Sequence, residues 1–182
     1  MQQNSDQELL ALMRGGNQKA FAEIYRRYRQ GLYTFCLRLL HSPQEAEDAV
    51  HETFVKLASG GASIAEPAAL KSWLYRVARN EGLMGLRHGR ERGDADTVWE
   101  DETPLSLAEK SDTQTLVRAA LDRLRSEYRE VLLLREFEGM SYDQITEVTG
   151  DSPASVKSRL FRARKALAGV LEGVWNEERE IR

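Results

Sequence analysis

Apolar positions recur along this chain at helical spacing, in segments separated by Gly, Pro and Ser. Leu9, Leu10, Leu12 and Met13 mark a short helix over 6–14, ended by Gly15-Gly16. Phe21, Ile24, Tyr25, Tyr28, Leu32, Phe35 and Leu39 stripe a longer helix over 19–40. So aromatic a stripe reads as core rather than as a cofactor site. Ser42-Pro43-Gln44-Glu45 then supplies an N-cap, a first-turn proline and a capping-box acid. The helix it opens turns Ala46, Val50, Phe54 and Leu57 inward and Glu45, Asp48 and Glu52 outward. A Gly/Pro-rich stretch over 59–67 breaks the pattern and reads as a loop. In the helix from residue 70 to 87, the large apolar residues Leu70, Trp73, Leu74 and Val77 are expected inward. Ser72, Tyr75, Arg76 and Arg79 are then expected outward, with Asn80 at the edge.

Residues 88–112 lose the periodicity and gain Gly, Asp and Glu, so they read as a flexible linker in which Trp99, Leu105 and Leu107 could adhere to a surface. Helical spacing resumes at Thr113 with Leu116, Ala120, Leu121 and Leu124. Three further helices are expected over 128–168. The first is broken by Glu138-Gly139-Met140. The second opens with Ser141 and Gln144 as a capping box and stops at Gly150, and the third opens with Ser152-Pro153 as N-cap and first helical residue. The last two have helix-turn-helix spacing. The C-terminal NEEREIR is charged throughout and is expected to fray.

The third of these helices carries the clearest chemistry. Val156, Leu160, Ala163 and Leu167 form one apolar stripe, while Ala154, Ser158, Phe161, Arg162 and Lys165 fall opposite, with Lys157, Arg159 and Arg164 on the flanks. Between 157 and 165 there are five basic residues and no acid. A helix buried along one stripe and basic elsewhere suits a DNA major groove, with the flank cations on phosphates. The helix over 70–87 interleaves Arg with aromatic residues beside a loop, a pattern that suits either an ordinary amphipathic helix with solvated arginines or the holding of unpaired bases. The carboxylates Glu45, Asp48 and Glu52 lie on an open helix face, which reads either as a solvated face or as a docking surface for a basic partner.

Composition narrows the function classes. Of 182 residues, 41% are hydrophobic and 30% charged, enough for real cores in a soluble protein. No run reaches the roughly 18 apolar residues that a membrane span needs, so direct membrane insertion is not expected. The N-terminal stretch lacks the pattern of a secretory leader. A single cysteine, Cys36, excludes an internal disulfide and fits a reducing compartment. A cytoplasmic location is therefore expected. The three histidines are far apart, with no CxxC and no nucleophile–base set or phosphate loop. No metal, cofactor or catalytic site is expected, and the chain does not read as an enzyme. The formal charge of −3 is unevenly spread. Residues 1–87 carry 11 basic and 9 acidic side chains, residues 88–112 carry 3 and 8, and residues 113–182 carry 12 and 12. So weak a net charge predicts weak affinity of the isolated chain for DNA.

The segments EAEDAVHETFVKL, LKSWLYRVARN and LRSEYREVLLLREFEGMSYDQITEVTGDSPASVKSRLFRARKAL, in this order and spacing, resemble a bacterial extracytoplasmic-function (ECF) sigma factor of the two-region type. The resemblance implies an all-α fold of two small helical domains, 1–87 and 113–182, joined by a flexible acidic linker over 88–112. The second domain would contain a helix-turn-helix. It implies core RNA polymerase and promoter DNA as partners, duplex at −35 and single-stranded at −10, together with an anti-sigma factor. Asp48, His51 and Glu52 would bind the polymerase. Lys71, Tyr75, Arg76 and Asn80 would hold the −10 strand, and the loop 60–70 would capture a flipped base. Arg135, Ser155, Lys157, Ser158, Phe161 and Arg162 would face the −35 element, with Arg159 on phosphate. The linker would thread through the polymerase. His51 departs from a usual Gln, Met84 from a common Asp and Arg125 from a usual Pro. A stand-alone helix-turn-helix regulator using only 128–168 is the competing reading.

Overall fold

The computed structural model describes residues 4–60, 64, 69–91 and 112–181, and every regular element among them is helical. In order these are α1 (Asp6–Arg14), α2 (Gln18–Leu40), α3 (Pro43–Gly60), α4 (Leu70–Glu91), α5 (Asp112–Asp122), α6 (Ser126–Leu132), α7 (Tyr142–Thr149) and α8 (Pro153–Ile181). They fall into two compact units. One holds α1 to α4, with Asp143–Gly150 grouped in it, and the other holds α5, α6 and α8.

In the first unit the caps set the helix starts. Ser5 accepts from the Glu8 amide while Glu8 reaches back to the Ser5 amide, a complete capping box. Asn17 Oδ1 accepts from the amides of Lys19 and Ala20, and Ser42 Oγ accepts from Glu45. α2 packs against α1, α3 and α4, and α3 packs against α4. Leu10, Ile24, Leu32, Phe35, Leu57 and Leu74 are wholly or nearly wholly buried between them. Each such side chain contributes about 1.5–3 kcal/mol.

The aromatic stripe of α2 is core except at its start, where Phe21 is half-buried and Tyr25, 40% exposed, lies over Phe54 with a ring separation of 4.7 Å. Leu12, expected in the apolar set of α1, is also exposed.

In the second unit, α5 and α6 pack on α8. Val131, Leu132, Leu133 and Leu134 are all buried. Four successive residues cannot share one face of a regular α-helix, and α6 passes directly into a π-helical turn over Leu133–Phe137. The turn ends at Gly139, whose φ of +65° lets the Met140 amide return to the Leu134 carbonyl at 3.0 Å. Arg129 replaces solvent at the end of α5. Its guanidinium donates to the carbonyls of Leu121, Asp122 and Leu124, each at 2.9 Å.

Two expected boundaries move. α4 continues through Glu91, so residues 88–91, expected in the linker, are helical. The C-terminal stretch expected to fray is helical as far as Ile181. Most of the loop 60–70 and residues 92–111 of the linker lie outside the described residues, as do Trp99, Leu105 and Leu107.

Candidate nucleic-acid interface

α7 and α8 follow one another across a turn whose Gly150 has φ +76°. Ser152 Oγ accepts from the Ser155 amide at 3.2 Å and starts α8. The inward stripe of α8 is as expected at Val156, Leu160 and Ala163, each 0–1% exposed, whereas Leu167 is half-buried. Lys157, Ser158, Phe161 and Arg162 are exposed together, and Phe161 is 71% exposed. An exposed phenylalanine between cations has no packing reason to be there. It does suit contact with a thymine methyl or sugar edge. Ser155 is half-buried beside this face.

Two of the three flank cations are held by carboxylates. Arg159 makes a two-pronged pair with Asp151, Nη1 to Oδ2 at 2.5 Å and Nη2 to Oδ1 at 3.0 Å. Arg164 donates from Nε at 3.0 Å and Nη2 at 2.6 Å to Glu136 Oε1. The Glu136 hydrogen bond holds the Arg164 guanidinium charged above its ordinary range. Arg135, half-buried, donates to the Met140 carbonyl at 2.6 Å and lies 5.1 Å from the centre of the Tyr142 ring. Its guanidinium is thereby fixed near the turn before α7. Asp151 and Glu136 were not legible as part of this site. The basic run contains no acid of its own, and its carboxylate partners come from 8 and 28 residues away.

On α4 the expected faces need correction. Ser72 and Tyr75, expected outward, are each 1% exposed. Tyr75 packs on Phe35 of α2 with ring centres 5.3 Å apart. The buried stripe is Leu70, Leu74, Ala78 and Gly82, while the larger Trp73 and Val77 are half-buried. The small residues decide the rotation. A Cβ on Gly82 would lie 2.5 Å from Leu40 Cδ1, so α4 approaches α2 closely at Gly82, on the same stripe as buried Ala78. That carries Tyr75 into the core. Arg76 and Asn80 remain exposed, on the same face as Trp73 and Val77. Lys71 is half-buried with its ammonium 5.8 Å from the Tyr75 ring centre.

On α3, Asp48, His51 and Glu52 are exposed in one stripe with Gln44 and Val55. Gln44 Nε2 donates to Asp48 at 3.1 Å and 3.2 Å, holding that carboxylate toward the helix start. Glu45, expected outward, is half-buried against α4, where a Cβ at Gly85 would meet its carboxylate oxygen at 2.0 Å. The open acidic face therefore carries Asp48 and Glu52 beside an exposed valine, 45% accessible, with exposed Glu47 at its edge.

Among the described residues no group of three His, Cys, Asp or Glu side chains could hold a metal ion, and no helix is long and apolar enough to cross a membrane.

Comparison with known proteins gives two family matches along the chain. The sigma-70 region 2 family matches residues 24–92 and the sigma-70 region 4 family matches residues 114–167. The RNA polymerase sigma-H factor of Pseudomonas aeruginosa is 30% identical over 189 residues, covering 96% of this chain and 98% of that protein. The ECF RNA polymerase sigma factor SigM of Mycobacterium tuberculosis is 31% identical over 170 residues, covering 93% and 86%. Among solved structures, the sigma factor RpoE in complex with the anti-sigma factor NepR from Bartonella quintana is similar, with a TM-score of 0.72 at 28% identity. The match covers 85% of this chain and 98% of that one.

Proposed function

We infer the function from the premise that this chain belongs to the ECF sigma factors of the sigma-70 family. It is a sigma factor that binds core RNA polymerase, directs it to specific promoters and helps open the −10 region to initiate transcription. Its own contribution is binding free energy, and the polymerase carries out the chemistry. It acts in the cytoplasm, where the polymerase is.

The surfaces divide this work. The exposed Asp48, His51 and Glu52 around Val55 on α3 dock the polymerase. Arg76 and Asn80 on α4, with Lys71 beside them, hold the displaced −10 strand, and half-buried Trp73 on the same face offers it a ring to stack on. Tyr75 supports this helix from inside. The loop 60–70 captures a flipped base of that strand, a cost of roughly a few kcal/mol recovered in a protein pocket. Lys157, Ser158, Phe161 and Arg162 read duplex −35 DNA from the exposed face of α8, with Ser155 and Arg135 at its border. Residues 1–91 and 112–182 then act as the −10 and −35 modules, and the acidic linker 92–111 follows the polymerase channel between them. An anti-sigma factor, of the kind RpoE of Bartonella quintana is bound to, regulates the chain by covering its polymerase-binding faces.

The observation that carries this reading is the face of α8, with Val156, Leu160 and Ala163 buried and Lys157, Ser158, Phe161 and Arg162 open. Its test is a separation of functions. Arg162→Ala weakens −35 duplex binding and spares polymerase binding, while Asp48→Ala with Glu52→Ala does the reverse. Equal losses of both activities from both variants would contradict the assignment.

A further inference from the structure

We propose that Asp151 and Glu136 are built-in competitors of DNA phosphate, holding down the sequence-independent part of the duplex affinity of α8. The inference rests on the reading of α8 as the duplex-binding helix. Five cations lie between residues 157 and 165. Two of them, Arg159 and Arg164, are engaged by these carboxylates, while Lys157, Arg162 and Lys165 have no carboxylate partner among the described residues. The engaged pair are two of the three flank residues, which are placed to meet the phosphate backbone rather than base edges.

The geometry of the pairs favours exchange. A guanidinium presents a planar fork that fits a carboxylate and a phosphate in the same way. Each carboxylate therefore occupies the donors that a phosphate would use. Both pairs remain accessible: Arg159 and Asp151 are 23% and 25% exposed, Arg164 and Glu136 49% and 46%. The open Arg164–Glu136 pair is weak, equivalent to about a fivefold change in an equilibrium at most, and the two-pronged, more covered Arg159–Asp151 pair is the stronger of the two. A phosphate that arrives in register, with release of its condensed counterions, can replace either carboxylate. Arg159 and Arg164 then reach the backbone only by giving up an internal partner. DNA that offers no base contacts to the central face gains little from them, so the free chain stays off bulk DNA.

The alternative role for the same pairs is scaffolding. Asp151 lies just before the N-cap of α8 and its charge also suits that helix end. Scaffolding and competition predict opposite signs. The test uses the full chain with Asp151→Asn, Glu136→Gln and the double substitution, each checked for unchanged helix content. Binding to a labelled duplex of random sequence is measured across a salt series, with Arg162→Ala alongside. Competition predicts binding roughly two- to fivefold tighter for each single variant and tighter again for the double, with the gain shrinking as salt rises. Unchanged or weaker binding in both single variants, with Arg162→Ala still impaired, overturns the competitor role and leaves the reading of α8 intact. Unchanged binding in those variants and in Arg162→Ala overturns both.

Discussion

Gly82 of α4 lies against Leu40 of α2 so closely that a Cβ at position 82 would stand 2.5 Å from Leu40 Cδ1 and 3.0 Å from Cδ2. Leu40 is 5% exposed and has little room to withdraw. Gly82→Ala would gain up to about 1 kcal/mol of helix propensity, against an overpacking cost of about 1–3 kcal/mol. Urea denaturation is expected to show a net loss of about 1 kcal/mol. The same substitution at Gly169, which has open space around it, is expected to be neutral or stabilising.

Arg129 is the cap of α5. Arg129→Met keeps the apolar bulk of the side chain but leaves the carbonyls of Leu121, Asp122 and Leu124 without its guanidinium. Loss of several buried hydrogen bonds to one charged donor is expected to cost about 2–4 kcal/mol. Hydrogen exchange should show the effect first in the amides of α5.

Cys36 is buried in α2, and burial pushes its thiol up from 9.0 to about 12. The thiolate is the reactive form, so Cys36 is expected to resist a thiol reagent at pH 8 until the unit opens. The linkage has a definite sign. The unfolded chain ionises this thiol first, so its contribution to stability is present below pH 9 and is lost as pH rises from 9 toward 12. Denaturation midpoints of Cys36→Ala and the parent chain, compared across that window, should converge as pH rises.

The corrected placement of Tyr75 separates two kinds of failure on α4. Tyr75→Ala removes a ring packed on Phe35 and is expected to cost about 3–5 kcal/mol of stability. Arg76→Ala with Asn80→Ala changes exposed side chains and is expected to leave stability within about 0.5 kcal/mol. The double variant should reduce promoter opening, read as permanganate reactivity of −10 thymines. It should recover on a template whose −10 region is already unpaired if its loss lies in the melting step.

The helices of both units and the apolar face of α8 were legible because each depends on local signals: caps at Ser42 and Ser152, breaks at Gly139 and Gly150, and apolar spacing through Val156, Leu160 and Ala163. The rotation of α4 was not. It depends on which neighbour the helix meets, and Gly82, on the stripe of Ala78, defines the close contact by what it lacks, so a reading weighted by large apolar residues turned Trp73 and Val77 inward and Tyr75 outward. The π-helical turn at Leu133–Phe137 came from the same kind of tertiary demand, four consecutive apolar residues drawn into one core. At the candidate DNA surface the cations were legible and their partners were not. Asp151 and Glu136 reach Arg159 and Arg164 only once the chain is folded.

The most direct measurement is transcription by bacterial core RNA polymerase from a pool of random promoter fragments, with and without this protein. A sigma factor yields protein-dependent transcripts whose templates share a two-part motif, and Arg162→Ala abolishes those transcripts. No protein-dependent transcripts, together with tight duplex binding by the chain alone, would contradict the sigma-factor reading and favour a stand-alone regulator.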